Sequence, residues 1–424
     1  MGIFQRYINQ QKLIFHTCQA DSGRCGSSVF VVIPCYNEPD IVTTLDSLAA
    51  CYPPVAPVSV LIVVNDGADS PAEAVEQNNS TLSSLAKWQT DHTDLFFDVQ
   101  RIVAHRLPQK WAGVGWARKI GMDEAIRQLA EHDYPDGIII SFDADSTVSP
   151  DYLQSIESAF ELNPSCNFFT IYFEHPLNHP QLSAKIREGI IRYELHMRYY
   201  RNALKWSGYP HAIHTVGSCF AVKASAYVKQ GGMNRRKAGE DFYFLHKLVQ
   251  LGQYGNICTT TVYPASRSSD RVPFGTGAAM KKWIEGGPEL KFTYAPEPFN
   301  QLKPFLNSAS RFWGIDENEI HTSLMQLHPS LRLWCENSGI VDELVELKKN
   351  CSGLKVFERR FFHLVNAFWI LKYLNFAHEN YFSQVDLQSA AIHLLHLLKI
   401  EANETGSVEN LLMIYRNLDR SEGI

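Results

Sequence analysis

The chain has 424 residues, 45% of them hydrophobic and 20% charged, with a formal net charge of −6 at pH 7. This composition excludes wholesale disorder and a fibrous repeat, and its mild acidity provides no global field to draw the chain to nucleic acid. At roughly 150 residues per domain, the length predicts two or three domains, or one large domain with an appendage. The nine cysteines, at positions 18, 25, 35, 51, 166, 219, 258, 335 and 351, contain no CxxC pair. They show neither a zinc framework nor a disulfide framework, and scattered thiols fit a reducing compartment. No stretch reaches the roughly 18–20 apolar residues of a membrane span. The nearest, Phe361 to Leu374, is interrupted by His363, Asn366 and Lys372. A soluble, cytoplasmic protein is expected.

In chain order, residues 1–27 read as an N-terminal arm, a short helix and a Gly/Ser linker. Val29-Phe30-Val31-Val32-Ile33 is a continuous apolar run ended by Pro34, the pattern of a strand buried on both faces. Ile41, Leu45 and Leu48 follow at helical spacing, and Val58 to Val64 is a second buried strand closed by Asn65-Asp66-Gly67. A helix is expected over 71–90, a strand near Phe96 to Val103, and a helix through Ala117, Ile120, Ala125, Ile126 and Leu129. Gly137-Ile138-Ile139-Ile140-Ser141-Phe142 is a third buried strand ending in Asp143-Ala144-Asp145, and Ser149-Pro150 reads as a helix cap and first turn. Alternating strands and helices predict a parallel α/β sheet, in which ligands sit at the carboxyl ends of the strands. Pro296, Pro298 and Pro304 read as a linker, and beyond it Leu344 to Lys348, Val356 to Leu374 and Leu387 to Ile400 read as helices. The expected divisions are 1–27, 28–290 and a helical extension over 291–424.

Two carboxylates one residue apart at a strand end, Asp143 and Asp145, can both reach a divalent cation such as Mg²⁺ or Mn²⁺ and leave its other positions for a diphosphate. Aspartates near a turn also serve as helix caps. Glu240-Asp241 opens a helical pattern continued by Phe244 and Leu248, so the pair either complements a helix dipole or supplies a general base. Arg267 to Gly277 is a basic loop in which Arg271 can pair with phosphate and Gly275 and Gly277 allow an anion nest; a solvated surface loop is the plainer account. Lys110 and Arg118 flank Gly113-Val114-Gly115 and are candidates for contacting a diphosphate or a base. His211 and His214 have the i, i+3 spacing of metal ligands but no matching partner, so ordinary surface or core histidines are favoured.

In order along the chain, these elements resemble the GT-A glycosyltransferases, specifically family 2-like enzymes. Ile33-Pro34-Cys35-Tyr36-Asn37-Glu38 is similar to the opening (I/V)P-x-YNE segment, and Val63-Val64-Asn65-Asp66-Gly67 to VDDGS. Gly113-Val-Gly115-Trp-Ala-Arg118 resembles G-x-G-x-AR-N, Asp143-Ala-Asp145 matches DxD, and Gly217 to Val222, Gly231-Gly232 and Glu240-Asp241 match the acceptor-side strand, glycine turn and ED motif. The resemblance covers about residues 28–285 and implies a GT-A fold, a Rossmann-like mixed sheet with helices on both faces. It implies a nucleotide-diphosphate sugar donor, a carbohydrate or other hydroxyl acceptor, and Mn or Mg as the metal. By position, Pro34, Tyr36 and Glu38 line the base and ribose pocket, Asp66 contacts the base, Arg118 lies near the nucleotide, Asp143 and Asp145 hold ribose, metal and diphosphate, and Arg271 neutralises charge on the departing diphosphate. Asp241, beside Glu240, is implied as the catalytic base of an inverting transfer.

Asn65 departs from the commoner Asp, and Lys119 from the Asn after the Arg. The QxxRW motif of processive synthases is missing, which speaks against that branch. A retaining enzyme using a histidine ligand and a catalytically idle scaffold remain as alternatives. The C-terminal helices match no family element and offer a surface for shaping the acceptor site or for self-association.

Overall fold

The computed structural model describes residues 2–11, 17–20, 26–179, 182–236, 239–269, 275–401 and 406–423. The chain forms two compact units. One comprises Met1–Arg187, Thr215–Lys281 and Leu418–Ile424, the other Glu188–His214 and Lys282–Asn417.

The first unit is built on a sheet of nine strands among the described residues. They are β1 (Thr17–Ala20), β2 (Val29–Cys35), β3 (Val58–Gly67), β4 (Phe97–Leu107), β5 (Ile138–Ser141), β6 (Thr147–Val148), β7 (Phe168–Phe173), β8 (Phe220–Lys223) and β9 (Tyr254–Tyr263). Their order is β1-β4-β3-β2-β5-β8-β7-β9-β6. The strands β4, β3, β2 and β5 are mutually parallel, as the strand–helix alternation predicts. Beyond them β8 runs antiparallel to both β5 and β7, and β9 returns parallel to β7, so the sheet is mixed. Every residue of β2 and β3 is buried, which is why both read as unbroken apolar runs. Each fully buried Val or Ile side chain contributes about 1.5–3 kcal/mol.

The first strand does not stop before Pro34 but continues to Cys35, with Pro34 in register with Val63. A proline one residue from the strand end forfeits a single ladder bond. The helix expected from Ser149-Pro150 starts at Tyr152, with Asp151 as its N-cap. Ser149 is held instead by its own N–H, which donates to the Thr261 carbonyl on β9 at 3.0 Å.

The helix Val114–Glu131 packs closely on the sheet at Gly121, where a Cβ would stand 3.0 Å from Val63 Cγ2. Its ionisable residues Arg118, Lys119, Asp123 and Glu124 are also buried, a pattern that an ordinary helix with one solvent face does not show. The helix Ile3–Gln10 buries Phe4 and Tyr7, and Tyr7 bonds to Asp123.

The second unit is mainly helical. The prolines read as a linker lie inside one helix, Pro296–Asn307. Pro296 and Pro298 occupy its first turn, where backbone N–H groups have no intrahelical partner, and Pro304 removes one interior bond. The single helix expected over Val356 to Leu374 is two, Leu354–Leu364 and Ala367–Asn380. Asn366 causes the restart: its side chain accepts from the N–H groups of Phe368 and Trp369, both at 3.0 Å. Phe305 lies against Phe312, Phe361 and Trp369 with ring centroids 6.0, 5.7 and 5.8 Å away. On the helix Leu387–Leu397, the side chains of Leu387, Ala391, Leu394 and Leu395 are buried. Glu194 is buried between two guanidiniums, 2.8 Å from Arg198 Nη2 and 2.7 Å from Arg416 Nε. That shared carboxylate ties the segment Glu188–His214 to the helix Val408–Arg420. No helix among the described residues is long and apolar enough to cross a membrane.

Candidate active site

The strands β2, β3, β5, β7 and β9 share one direction, so the polar residues that follow them gather along one edge of the sheet. Tyr36-Asn37-Glu38 follows β2, Asn65-Asp66 closes β3, Asp143-Ala144-Asp145 follows β5, and Arg267 follows β9. Because β8 is antiparallel, its leading residues Gly217 to Cys219 arrive at the same edge.

Arg118 is the hub of this edge. Only 2% of its side chain is exposed, and its guanidinium is engaged on all sides. Nη2 lies 2.9 Å from Asp143 Oδ1 and Nε 3.2 Å from Glu240 Oε1. Nη1 donates to Ser141 Oγ at 2.5 Å and to the Gly217 carbonyl at 2.9 Å. Position 217 must be glycine: a Cβ there would stand 2.7 Å from Arg118 Nη2 and 3.3 Å from Asp241 Oδ2. Asp143, Glu240 and Asp241 thus converge on one buried cation. Burial alone would lower the Arg118 pKa, but Asp143, Glu240 and Asp241 together hold it above its usual value.

The acidic pair opens the helix Glu240–Val249, with Gly239 before it at φ +69°. Burial pushes both carboxyl groups up. Asp241 reaches about 7, through burial first and the neighbouring Glu240 second, with Arg118 opposing. A carboxyl group poised near neutrality at a strand-end crevice is suited to take a proton.

Asp145 and Glu38 meet at Arg267. Its Nη2 is 3.1 Å from Asp145 Oδ2 and also contacts Glu38 Oε2. Glu38 is fully buried and also accepts the Asp40 N–H at 3.0 Å. The Arg267 Nε is buried with no hydrogen-bond partner among the described residues. The sequence places phosphate pairing on Arg271, which lies outside the described residues. Asp66 is buried and occupied by its own chain, accepting the Arg106 N–H at 2.7 Å and bonding to His105 Nδ1. Tyr36 is half-buried, its hydroxyl 3.4 Å from Ser70 Oγ. Pro34 sits within β2. Lys110 is exposed, its ammonium 4.8 Å over the Trp111 ring. His211 belongs to the second unit, where it packs on Tyr209 and Phe362 and burial lowers its pKa to about 4; His214 lies in the same segment.

Arg267, Ser141, Gly217 and His105 are not among the site residues expected from sequence. Ser141 carries a usable signal, a hydroxyl closing an otherwise apolar strand. The others depend on partners far away in the chain.

The donor chemistry of the Asp143–Asp145 turn fits a hard divalent cation. The two side chains are 34% and 24% exposed at the strand end. Among the described residues, five carboxylates (Glu38, Asp143, Asp145, Glu240, Asp241) face two guanidiniums, Arg118 and Arg267. That excess of negative charge favours a cation. No group of three His, Cys, Asp or Glu side chains among the described residues forms a ready-made metal site, so substrate oxygens and water would complete the coordination of a cation held here.

The mixed sheet and the acidic strand-end crevice define a GT-A fold. Residues 30–229 match the family described as "Glycosyl transferase family 2", which identifies that segment as a glycosyltransferase domain. Among curated proteins, none is significantly similar in sequence. Among solved structures, the chain is similar to S. aureus TarS 1-349 in complex with UDP-GlcNAc, at 12% identity and a TM-score of 0.41, covering 76% of this chain and 90% of that one. It is also similar to the mannosyltransferase PcManGT from Pyrobaculum calidifontis in complex with GDP-Man and Mn2+, at 14% identity and a TM-score of 0.35, covering 99% of this chain and 92% of that one.

Proposed function

We propose that this glycosyltransferase moves a sugar from a nucleoside-diphosphate donor to an acceptor hydroxyl with inversion at the anomeric carbon, and that Asp241 is the general base. The observation that carries this reading is the Asp241 carboxyl group, raised to about 7 beside Glu240 and the Arg118–Asp143 pair. In the ionised form Asp241 takes the acceptor proton as the hydroxyl oxygen attacks, and the nucleoside diphosphate leaves from the opposite face. Glu240 and Arg118 fix the place of Asp241, and Arg118 also fixes Asp143. Asp143 and Asp145 would hold a Mn²⁺ or Mg²⁺ ion. Such an ion, when bound, would supply positive charge to the diphosphate leaving group. Arg267, whose buried Nε–H has no partner among the described residues, would add positive charge for the same oxygens. Pro34, Tyr36, Glu38 and Asp66 line the nucleotide end of the edge, with Lys110 and Arg271 as further candidates for the phosphates. The buried cysteines Cys35, Cys51 and Cys219 fit a cytoplasmic setting.

The test is a screen of UDP-, GDP- and dTDP-sugars with Mn²⁺, with product mass and anomeric configuration read by NMR. Asp241→Asn is expected to lower kcat by about 10²–10⁴ with nucleotide binding kept, and Asp143→Ala to lose nucleotide binding. A normal rate in Asp241→Asn, or a product of retained configuration, removes the base assignment.

A further inference from the structure

The helix Ile3–Gln10 lies before the family-matched segment, yet it enters a buried polar cluster outside the catalytic edge. The Tyr7 hydroxyl donates to Asp123 Oδ1 at 2.7 Å, and the Tyr227 hydroxyl donates to the same oxygen at 2.7 Å. Lys119 Nζ lies 2.8 Å from Asp123 Oδ2 and donates to the Tyr7 hydroxyl at 3.0 Å. All four side chains are buried. Burial lowers the Lys119 pKa and raises those of Tyr7 and Tyr227. Burying an ion pair is costly, and apolar residues of the same volume often stabilise a fold as well or better. Directional hydrogen bonds, by contrast, specify one geometry.

That geometry leads to the acidic pair at both ends of one segment. The Tyr227 hydroxyl is hydrogen-bonded by the Met233 backbone, and the Tyr227 carbonyl accepts the Gly232 N–H at 2.9 Å. Gly232, at φ +74°, lies directly against the Tyr7 hydroxyl, with no room for a Cβ. Next, Asn234 Nδ2 donates to the Glu240 carbonyl at 2.7 Å. At the other end, Glu240 is held by Arg118, the neighbour of Lys119 on the same helix. A Cβ at Gly115 would stand 2.9 Å from Glu240 Cβ, so the helix and the acidic pair are in close contact.

We propose that Tyr7 and Asp123 are positioning residues for the acceptor side: through Tyr227 and the Gly231–Gly232 turn, the N-terminal helix fixes where Glu240 and Asp241 stand. The kinetic consequence rests on Asp241 being the base; the placement of the segment does not.

The experiment compares full-length wild type with Tyr7→Phe, which deletes one hydroxyl and little volume. Hydrogen exchange followed by mass spectrometry is expected to show faster uptake in peptides spanning 231–249 and unchanged uptake over 138–145. With whichever of UDP-glucose, UDP-N-acetylglucosamine and GDP-mannose turns over fastest, kcat for transfer should fall about 10–100-fold, as for a misplacement of about 1 Å. Calorimetric Kd values for UDP or GDP with Mn²⁺ should be unchanged. A lower Tm with kcat unchanged, or faster exchange confined to residues 3–10 and 114–131, overturns the proposal and leaves a purely structural cluster. If Tyr7→Phe does not fold, Tyr227→Phe removes the other hydroxyl on the same oxygen, and the same outcomes decide. Asp241→Asn, run alongside, separates the two claims. Full activity in that variant overturns the base assignment, whereas the exchange pattern of Tyr7→Phe still decides the positioning.

Discussion

A base with a pKa near 7 leaves a signature in the pH profile. Below about 7 Asp241 is protonated and cannot accept the hydroxyl proton, so kcat/KM should rise with pH and level off above that value. The same shift has a thermodynamic sign. The Asp241 pKa is raised from 3.8 to about 7 on folding. Its contribution to stability is therefore fully present below about pH 4 and is lost as pH rises to about 7. Asp241→Asn removes that loss, so its Tm relative to wild type should be higher at pH 8 than at pH 5; a pH-independent difference would contradict the shift. Arg118→Met makes the complementary case. It strands Glu240, which has only 4% of its side chain exposed, and should cost about 3–5 kcal/mol in urea unfolding. Asp143 and Asp241 are legible as candidates because each stands at a strand end or helix start that the local pattern already marks. Arg118 is legible only as a basic residue near a Gly-x-Gly. Its work is defined by Gly217 and Glu240, about a hundred residues further along the chain.

At the level of elements, local pattern predicts the buried strands well, since β2, β3 and β5 are short apolar runs with polar ends. It fails where tertiary contacts reset a boundary. Ser149 has the chemistry of a cap, but its backbone is paired with β9 and the helix starts later. The break at Asn366 is a cap inside an apolar stretch that otherwise reads as one helix. Asn366→Ala should destabilise the second unit by about 0.5–2 kcal/mol, seen in thermal or urea melts, with no effect on nucleotide binding. No effect on the melt would mean that packing alone restarts the helix. The burial of Lys119 and Asp123 has no sequence signal, because the element that covers them, the helix Ile3–Gln10, lies more than a hundred residues earlier.

At the scale of the whole molecule, the two compact units interleave along the chain: Glu188–His214 belongs with Lys282–Asn417, and Leu418–Ile424 returns to the first unit. In that return Arg420 sits 3.0 Å from Glu174 and 4.4 Å over the Tyr172 ring. A fragment cut after residue 290 would lack this tail and would carry Leu195, Tyr199, Ala203 and Leu204, all buried in the intact protein, without their second-unit partners. It should melt without a cooperative transition by circular dichroism, and a sharp two-state melt would show that the first unit folds without the rest. The sequence by itself determined the strand–helix alternation, the α/β class and the acidic residues at strand ends, because those signals act over a few residues. Only the tertiary structure decided which cation each carboxylate meets, which side of the helix Val114–Glu131 sees water, and which segments share a core. Those outcomes depend on partners brought together from distant positions, and buried charges are tolerated only where such partners arrive.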